Sequence, residues 1–114
     1  MPRSPRDYLQ HILDEADYLR ETARNVDKDS FLRDETLKRA FARSIEVMGE
    51  AAKQIPDALR RKHPGIDWRA VAGMRDRLIH SYFGVDYEIV WDVAANKARP
   101  LAEQVRTILE NEVN

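Results

Sequence analysis

The residues from Arg75 to Tyr82, read as Arg-Asp-Arg-Leu-Ile-His-Ser-Tyr, place a guanidinium, an imidazole and a phenol close together in the chain. His80 can exchange a proton near neutral pH, because an ordinary imidazole has a pKa of about 6.5. Asp76 lies four positions earlier. On a helix the two share a face, and the carboxylate can orient the imidazole or favour its cationic form. Arg75 stays charged throughout and offers two parallel donors to a phosphate. Together these groups suit phosphodiester cleavage, with His80 moving the proton and Arg75 stabilising charge on a pentacoordinate phosphorus. No metal is needed when an RNA 2′-hydroxyl is the nucleophile. The bland reading of the same residues is a solvated His–Asp pair beside a surface arginine.

Geometry sharpens the choice. At about 100° per residue, Trp68, Val71, Ala72, Leu78, Ile79 and Tyr82 fall on one helix face, with Arg75 near its middle. A charge centred on an apolar stripe must be paired, at an interface, or used. Arg75 and His80 are separated by about 140° around an ideal helix, so they do not sit squarely on one face. Either the helix loosens near His80 or a second copy completes the site. In a two-fold dimer one helix can meet its symmetry mate, and each chain then supplies Arg and His to one cleft.

The elements that must position these groups read as helices. Helix one is expected from about Arg6 to Asn25, capped by Ser4 with Pro5 in its first turn. Its apolar stripe is Tyr8, Leu9, Ile12, Ala16, Leu19 and Ala23, at helical spacing. Asn25 to Ser30 reads as a turn. Helix two is expected from near Phe31 or Asp34 to about Ile55, where Pro56 stops it. Residues 57–62 suit a short helix, closed by His63-Pro64-Gly65. Helix three should start after Asp67, a good cap, and end near Gly84. Asp86 caps helix four, which Pro100 should kink or split. The expected fold is therefore all-α: an antiparallel four-helix bundle with a short extra helix, spanning residues 1–114 as a single domain.

The totals narrow the function classes. The 114 residues include no Cys, which removes disulfides and thiolate metal sites. His11, His63 and His80 lack metal-ligand spacing, so no metal and no cofactor are expected. The N-terminal MPRSPRDYLQ has no apolar core of a signal peptide, and no apolar run reaches membrane-spanning length. The expectation is a cytoplasmic protein with no membrane partner. A net charge of −1 with 34% charged residues argues against a generally basic nucleic-acid-binding surface, so any RNA contact must be local.

A second cluster, Arg43, Glu46, Gly49 and Glu50, lies in RSIEVMGEAA. Gly49 costs about 1 kcal/mol relative to Ala within a helix, which suggests a close neighbour such as helix three. If Arg75 is buried, Glu46 or Glu50 is its expected partner; otherwise the pair belongs to a solvated face. Trp68 and Trp91 read as core residues rather than base-stacking platforms. Arg60-Arg61-Lys62-His63 reads as a solvated basic run, with steering of a phosphate backbone as the alternative.

The segments RSIEVMGEAAKQIP, WRAVAGMRDRLIHSYFGVD and YEIVW resemble the HepT-like branch of the HEPN superfamily. The resemblance runs from helix one to Leu101, and Arg75, His80 and Tyr82 meet its Arg-x4-His-x-Tyr signature without gaps. It implies a HEPN-like bundle that dimerises with the motifs facing across the two-fold axis. It implies a metal-independent endoribonuclease acting as the toxin of a toxin–antitoxin pair, with RNA as substrate. It further implies an MntA-type minimal nucleotidyltransferase partner that adenylylates the motif tyrosine, Tyr82. The catalytic set is then Arg75, His80 and Asp76, with Glu46 and Glu50 in support. The alternative is a non-catalytic nucleotide- or substrate-binding subunit of such a nucleotidyltransferase, in which Arg75 and His80 only hold a phosphate.

Overall fold

The computed structural model of the chain describes residues 4–78 and 84–111. Helix α1 spans Pro5–Ala23, α2 Lys28–Arg33, α3 Glu35–Lys53, α4 Asp57–Lys62 and α5 Trp68–Leu78. Helix α6, Tyr87–Asp92, runs through a π-turn, Val93–Lys97, directly into α7, Ala98–Asn111. Among the described residues the fold is all-α, with an HEPN-like arrangement.

Local chemistry sets most of the helix starts. The Ser4 hydroxyl accepts from the Asp7 amide at 3.2 Å, and the Asp7 carboxylate accepts from the Ser4 amide at 3.1 Å. This reciprocal pair satisfies two donors that a helix start leaves open. Asp34 caps α3 through the Leu37 amide at 3.0 Å, and Asp67 takes the Ala70 amide at 3.0 Å. Asp86 caps α6 through the Ile89 amide at 3.3 Å. Each such cap contributes about 1 kcal/mol.

Two expectations are corrected here. The stretch from Asn25 to Ser30 is not wholly a turn. Asp27 takes the Ser30 amide at 2.8 Å and starts α2, which carries Phe31 into the core. Phe31 is buried against Phe41 and Trp91, with ring centroids 4.9 and 5.3 Å apart respectively, and this packing holds a six-residue helix too short to persist alone. The basic run is also not simply solvated. Arg60 turns back on α3 and donates to the Ala52 carbonyl at 2.8 Å and the Ile55 carbonyl at 3.0 Å, closing orphan acceptors at its C-terminus.

The effect of Pro100 takes the form of a register change. Proline lacks an N–H and its ring crowds the carbonyl four residues back. One turn earlier the helix widens, and the Ala98 amide donates to Val93, five residues back. The helix therefore continues as one rod from Tyr87 to Asn111.

The four long elements alternate in direction. Tyr18 meets Phe41, whereas Tyr8 and His11 share a groove with Ala51 and Gln54, so α1 and α3 are antiparallel. Glu46 faces Arg75 and Gly49 faces Val71, so α3 and α5 are antiparallel. Gln104 reaches the Gly65 carbonyl at 2.9 Å while Met74 and Leu78 lie with Ile89 and Val93, which orients the last rod against α5. Ile12, Leu19, Phe41, Ile45, Met48, Leu78, Val90 and Val105 fill the centre. The helices contribute apolar stripes to one shared core, and burying each such side chain contributes about 1.5–3 kcal/mol.

Candidate functional site

Arg75 sits in the last turn of α5, where the core packing of that helix decides its direction. The buried stripe is Trp68, Val71, Met74 and Leu78, at helical spacing. Arg75 therefore lies towards the Trp68 edge of the stripe, and not at its centre. Ala72, expected on the apolar face, is only half-buried. The shift arises because the core lies between α3 and the α6–α7 rod, which draws Met74 inward and turns Arg75 towards α3. Its side chain keeps 43% of its exposure, so the charge remains accessible to a ligand.

Two carboxylates hold it. The Arg75 Nε donates to Glu46 Oε2 at 3.4 Å, across the α3–α5 contact. One of its terminal nitrogens, Nη1, lies 3.5 Å from Asp76 Oδ1. Both separations exceed the 2.7–2.9 Å of a tight charge-assisted bond, so the guanidinium is positioned without being locked. Asp76 is 69% exposed on its side chain and borders open solvent, whereas Glu46 is 29% exposed and rests between helices. Glu46 is thus the firmer of the two supports.

The close approach of α5 to α3 depends on Gly49. A Cβ at that position would lie 3.4 Å from the carbonyl oxygens of both Val71 and Ala72 and 3.9 Å from the Arg75 Cβ. The glycine lets the α5 backbone settle directly against α3, which brings Glu46 within reach of Arg75. The cost of a mid-helix glycine here has a local use, as its position suggested.

The cluster Arg43, Glu46, Gly49 and Glu50 is divided by the packing. Glu46 and Gly49 face α5. Arg43 and Glu50 instead border a separate groove of about 430 Å³ with Tyr8 and His11 of α1, and Glu50 pairs with Lys53 at 3.6 Å. Glu46 is therefore the support for Arg75 expected from the sequence, and Glu50 does not reach it. Trp68 is buried, with its indole N–H donating to the His63 carbonyl at 3.0 Å, and Trp91 packs on Phe31. Neither ring is a free stacking platform.

His80 and Tyr82 lie outside the described residues. What is described is the frame on either side of them. The chain has returned to α5 by Asp86, whose amide donates to the Leu78 carbonyl at 2.8 Å. Gly84, with φ of 108°, precedes that return and takes a conformation that glycine adopts without strain.

These features bear on a comparison with known proteins. The profile described as ribonuclease HepT-like matches residues 12–108. This chain belongs to the ribonuclease HepT-like family. The matched span contains Glu46, Gly49, Arg75, His80 and Tyr82. A relative from Caldanaerobacter subterraneus subsp. tengcongensis, named "Putative RNase", is 44% identical over 96% of this chain and 98% of its own length. A "Probable ribonuclease HepT" from Thermococcus cleftensis is 44% identical over 80% of this chain and 83% of its own. A "Putative RNase" from Methanocaldococcus jannaschii is 36% identical over 97% of this chain and 93% of its own. No solved structure matches the HepT-like chain. Among the described residues no helix is long and apolar enough to cross a membrane.

Proposed function

We propose that this HepT-like chain is a metal-independent endoribonuclease and the toxin of a toxin–antitoxin pair, acting as a homodimer. Arg75 holds the scissile phosphate. His80 takes the proton of the 2′-hydroxyl, whose oxygen attacks phosphorus while the P–O5′ bond breaks, and the resulting imidazolium returns the proton to the leaving 5′-oxygen. The products are a 2′,3′-cyclic phosphate and a 5′-hydroxyl. Asp76 orients His80, and Glu46 holds Arg75 from the neighbouring helix. Each cleft takes its Arg and His from two chains, which answers the angular mismatch between Arg75 and His80 on a single helix.

The observation that carries this reading is the accessible yet supported Arg75. It is loosely held by Glu46 at 3.4 Å and keeps 43% of its side-chain exposure, as a group that must accept an incoming phosphate would. The names of the relatives support ribonuclease chemistry for this chain.

Regulation follows from the third motif residue. We assign Tyr82 as the acceptor of AMP from an MntA-type nucleotidyltransferase, and the added phosphate blocks the cleft by bulk and by charge repulsion of RNA. The test of the catalytic claim is incubation of the purified protein with total RNA in EDTA. Fragmentation is expected with the wild type and not with Arg75→Ala. RNA that stays intact with a folded wild-type dimer would favour the non-catalytic binding subunit instead.

A further inference from the structure

The opposite flank of α5 carries a second feature that the motif does not use. Between α5 and the α6–α7 rod runs a groove of about 340 Å³. Its floor is apolar, formed by Met74, Ile89 and Val93, and its rim carries Arg77 and Lys97. Both cations are exposed, and neither is held in an ion pair among the described residues. Among the described residues, the one carboxylate lining the groove is that of Asp67, which already caps α5 at 3.0 Å. The π-turn supplies both Val93 and Lys97, so the widened turn shapes this wall; such bulges are frequent at functional sites.

We propose that this groove seats one nucleotide of a single-stranded RNA, with its base on the Met74–Val93 floor and its flanking phosphates on Arg77 and Lys97. The inference rests on the ribonuclease reading and extends it, because Arg77 is two positions from Arg75 on the same helix. About 200° separates them around α5, so one guanidinium stands on each flank of the helix end. A strand crossing that end meets Arg75 on one side and Arg77 on the other. A charge pair above an apolar floor complements a splayed-out nucleotide, whereas a duplex hides its base faces. The groove is also at the small end of ligand sites, which suits a single nucleotide rather than a larger occupant. It offers a chain of net charge −1 a local positive surface, set along the groove between α5 and the α6–α7 rod.

The test is binding of a labelled single-stranded RNA to the full-length protein across a salt series, in a His80→Ala background that keeps the RNA whole. Combined Arg77→Ala and Lys97→Ala substitutions should weaken binding about tenfold and flatten the dependence of log K on log salt by about 1.4, the value for two lost phosphate contacts to a single strand. Arg77→Lys with Lys97→Arg should keep the wild-type slope. A duplex of the same sequence should not show the loss. An unchanged affinity and slope in the folded double variant, or an equal loss for duplex, overturns the assignment. Should the double variant fail to fold, Lys97→Gln alone is read the same way, with a slope change of about 0.7 expected. Cleavage by the wild type is followed in parallel. Cleavage with an unchanged slope overturns the groove and leaves the ribonuclease reading standing. Binding that depends on Arg77 and Lys97 without any cleavage leaves the groove and overturns the ribonuclease.

Discussion

Glu46 on α3 and Arg75 on α5 meet at 3.4 Å through Oε2 and Nε, the one ion pair joining those two helices among the described residues. A half-exposed pair of that length contributes little to folding, within about 1 kcal/mol. Arg75→Ala should therefore leave the melting temperature close to wild type while reducing RNA cleavage at least about a hundredfold, the scale for losing a charge stabiliser. Glu46→Gln should retain the fold and cost less, about tenfold, because the amide can still accept from Nε but no longer holds the charge. Thermal melts and initial cleavage rates check both. A loss of stability that tracks the loss of activity would make Arg75 structural.

Gly49 makes that meeting possible. Gly49→Ala gains helix propensity of about 1 kcal/mol but places a methyl 3.4 Å from two carbonyl oxygens of α5, so stability should change by less than about 1 kcal/mol. Gly49→Leu cannot fit. It should destabilise by about 1–3 kcal/mol and separate Arg75 from Glu46, with activity falling further than stability. Denaturant unfolding alongside cleavage assays distinguishes the two effects; wild-type behaviour of Gly49→Leu would mean α5 is free to move.

The Asp27 cap should show in acid. Hydrogen bonds from the Ser30 amide and hydroxyl hold the Asp27 carboxyl below its ordinary pKa. A lowered folded-state value contributes stability that is present above the unfolded pKa and lost as pH falls through the folded one. The loss should begin below about pH 4. Asp27→Asn retains a capping oxygen without a titrating proton, so its melting temperature should fall less steeply across that window. Parallel slopes for the two proteins would remove Asp27 from the acid response.

Tyr82→Phe should keep ribonuclease activity, because the proposed proton carrier is His80, yet escape neutralisation by a cognate nucleotidyltransferase with ATP. Intact mass after co-expression should show one or more AMP additions on the wild type and none on Tyr82→Phe. Suppressed toxicity with an unchanged wild-type mass would mean the partner acts by binding alone.

How far the sequence could be read depends on how local each cause is. Ser4, Asp67 and Asp86 were legible as caps because each bonds an amide three residues on. Pro100 was legible as a disturbance for the same reason, although widening to a π-turn required the surrounding packing. Gly49 announced a close neighbour through its cost alone. In contrast, α2 depends on Phe31 finding Phe41 and Trp91, and Arg60 finds carbonyls of the preceding helix. Periodicity placed Arg75 at the centre of a stripe because it cannot tell which neighbours cover α5; packing chose Met74 and left Arg75 at the edge. The pairing of Arg77 with Lys97 had no sequence signal, since twenty positions separate them and only the fold unites them.

The most direct measurement of the central claim is the end chemistry of a defined RNA oligonucleotide cut in EDTA. The expected ends are a 2′,3′-cyclic phosphate on one fragment and a 5′-hydroxyl on the other. No cut is expected when the nucleotide at the scission site is replaced by its 2′-deoxy form, and none with His80→Ala. Cleavage that persists through the 2′-deoxy position, or full activity in folded His80→Ala, would contradict it.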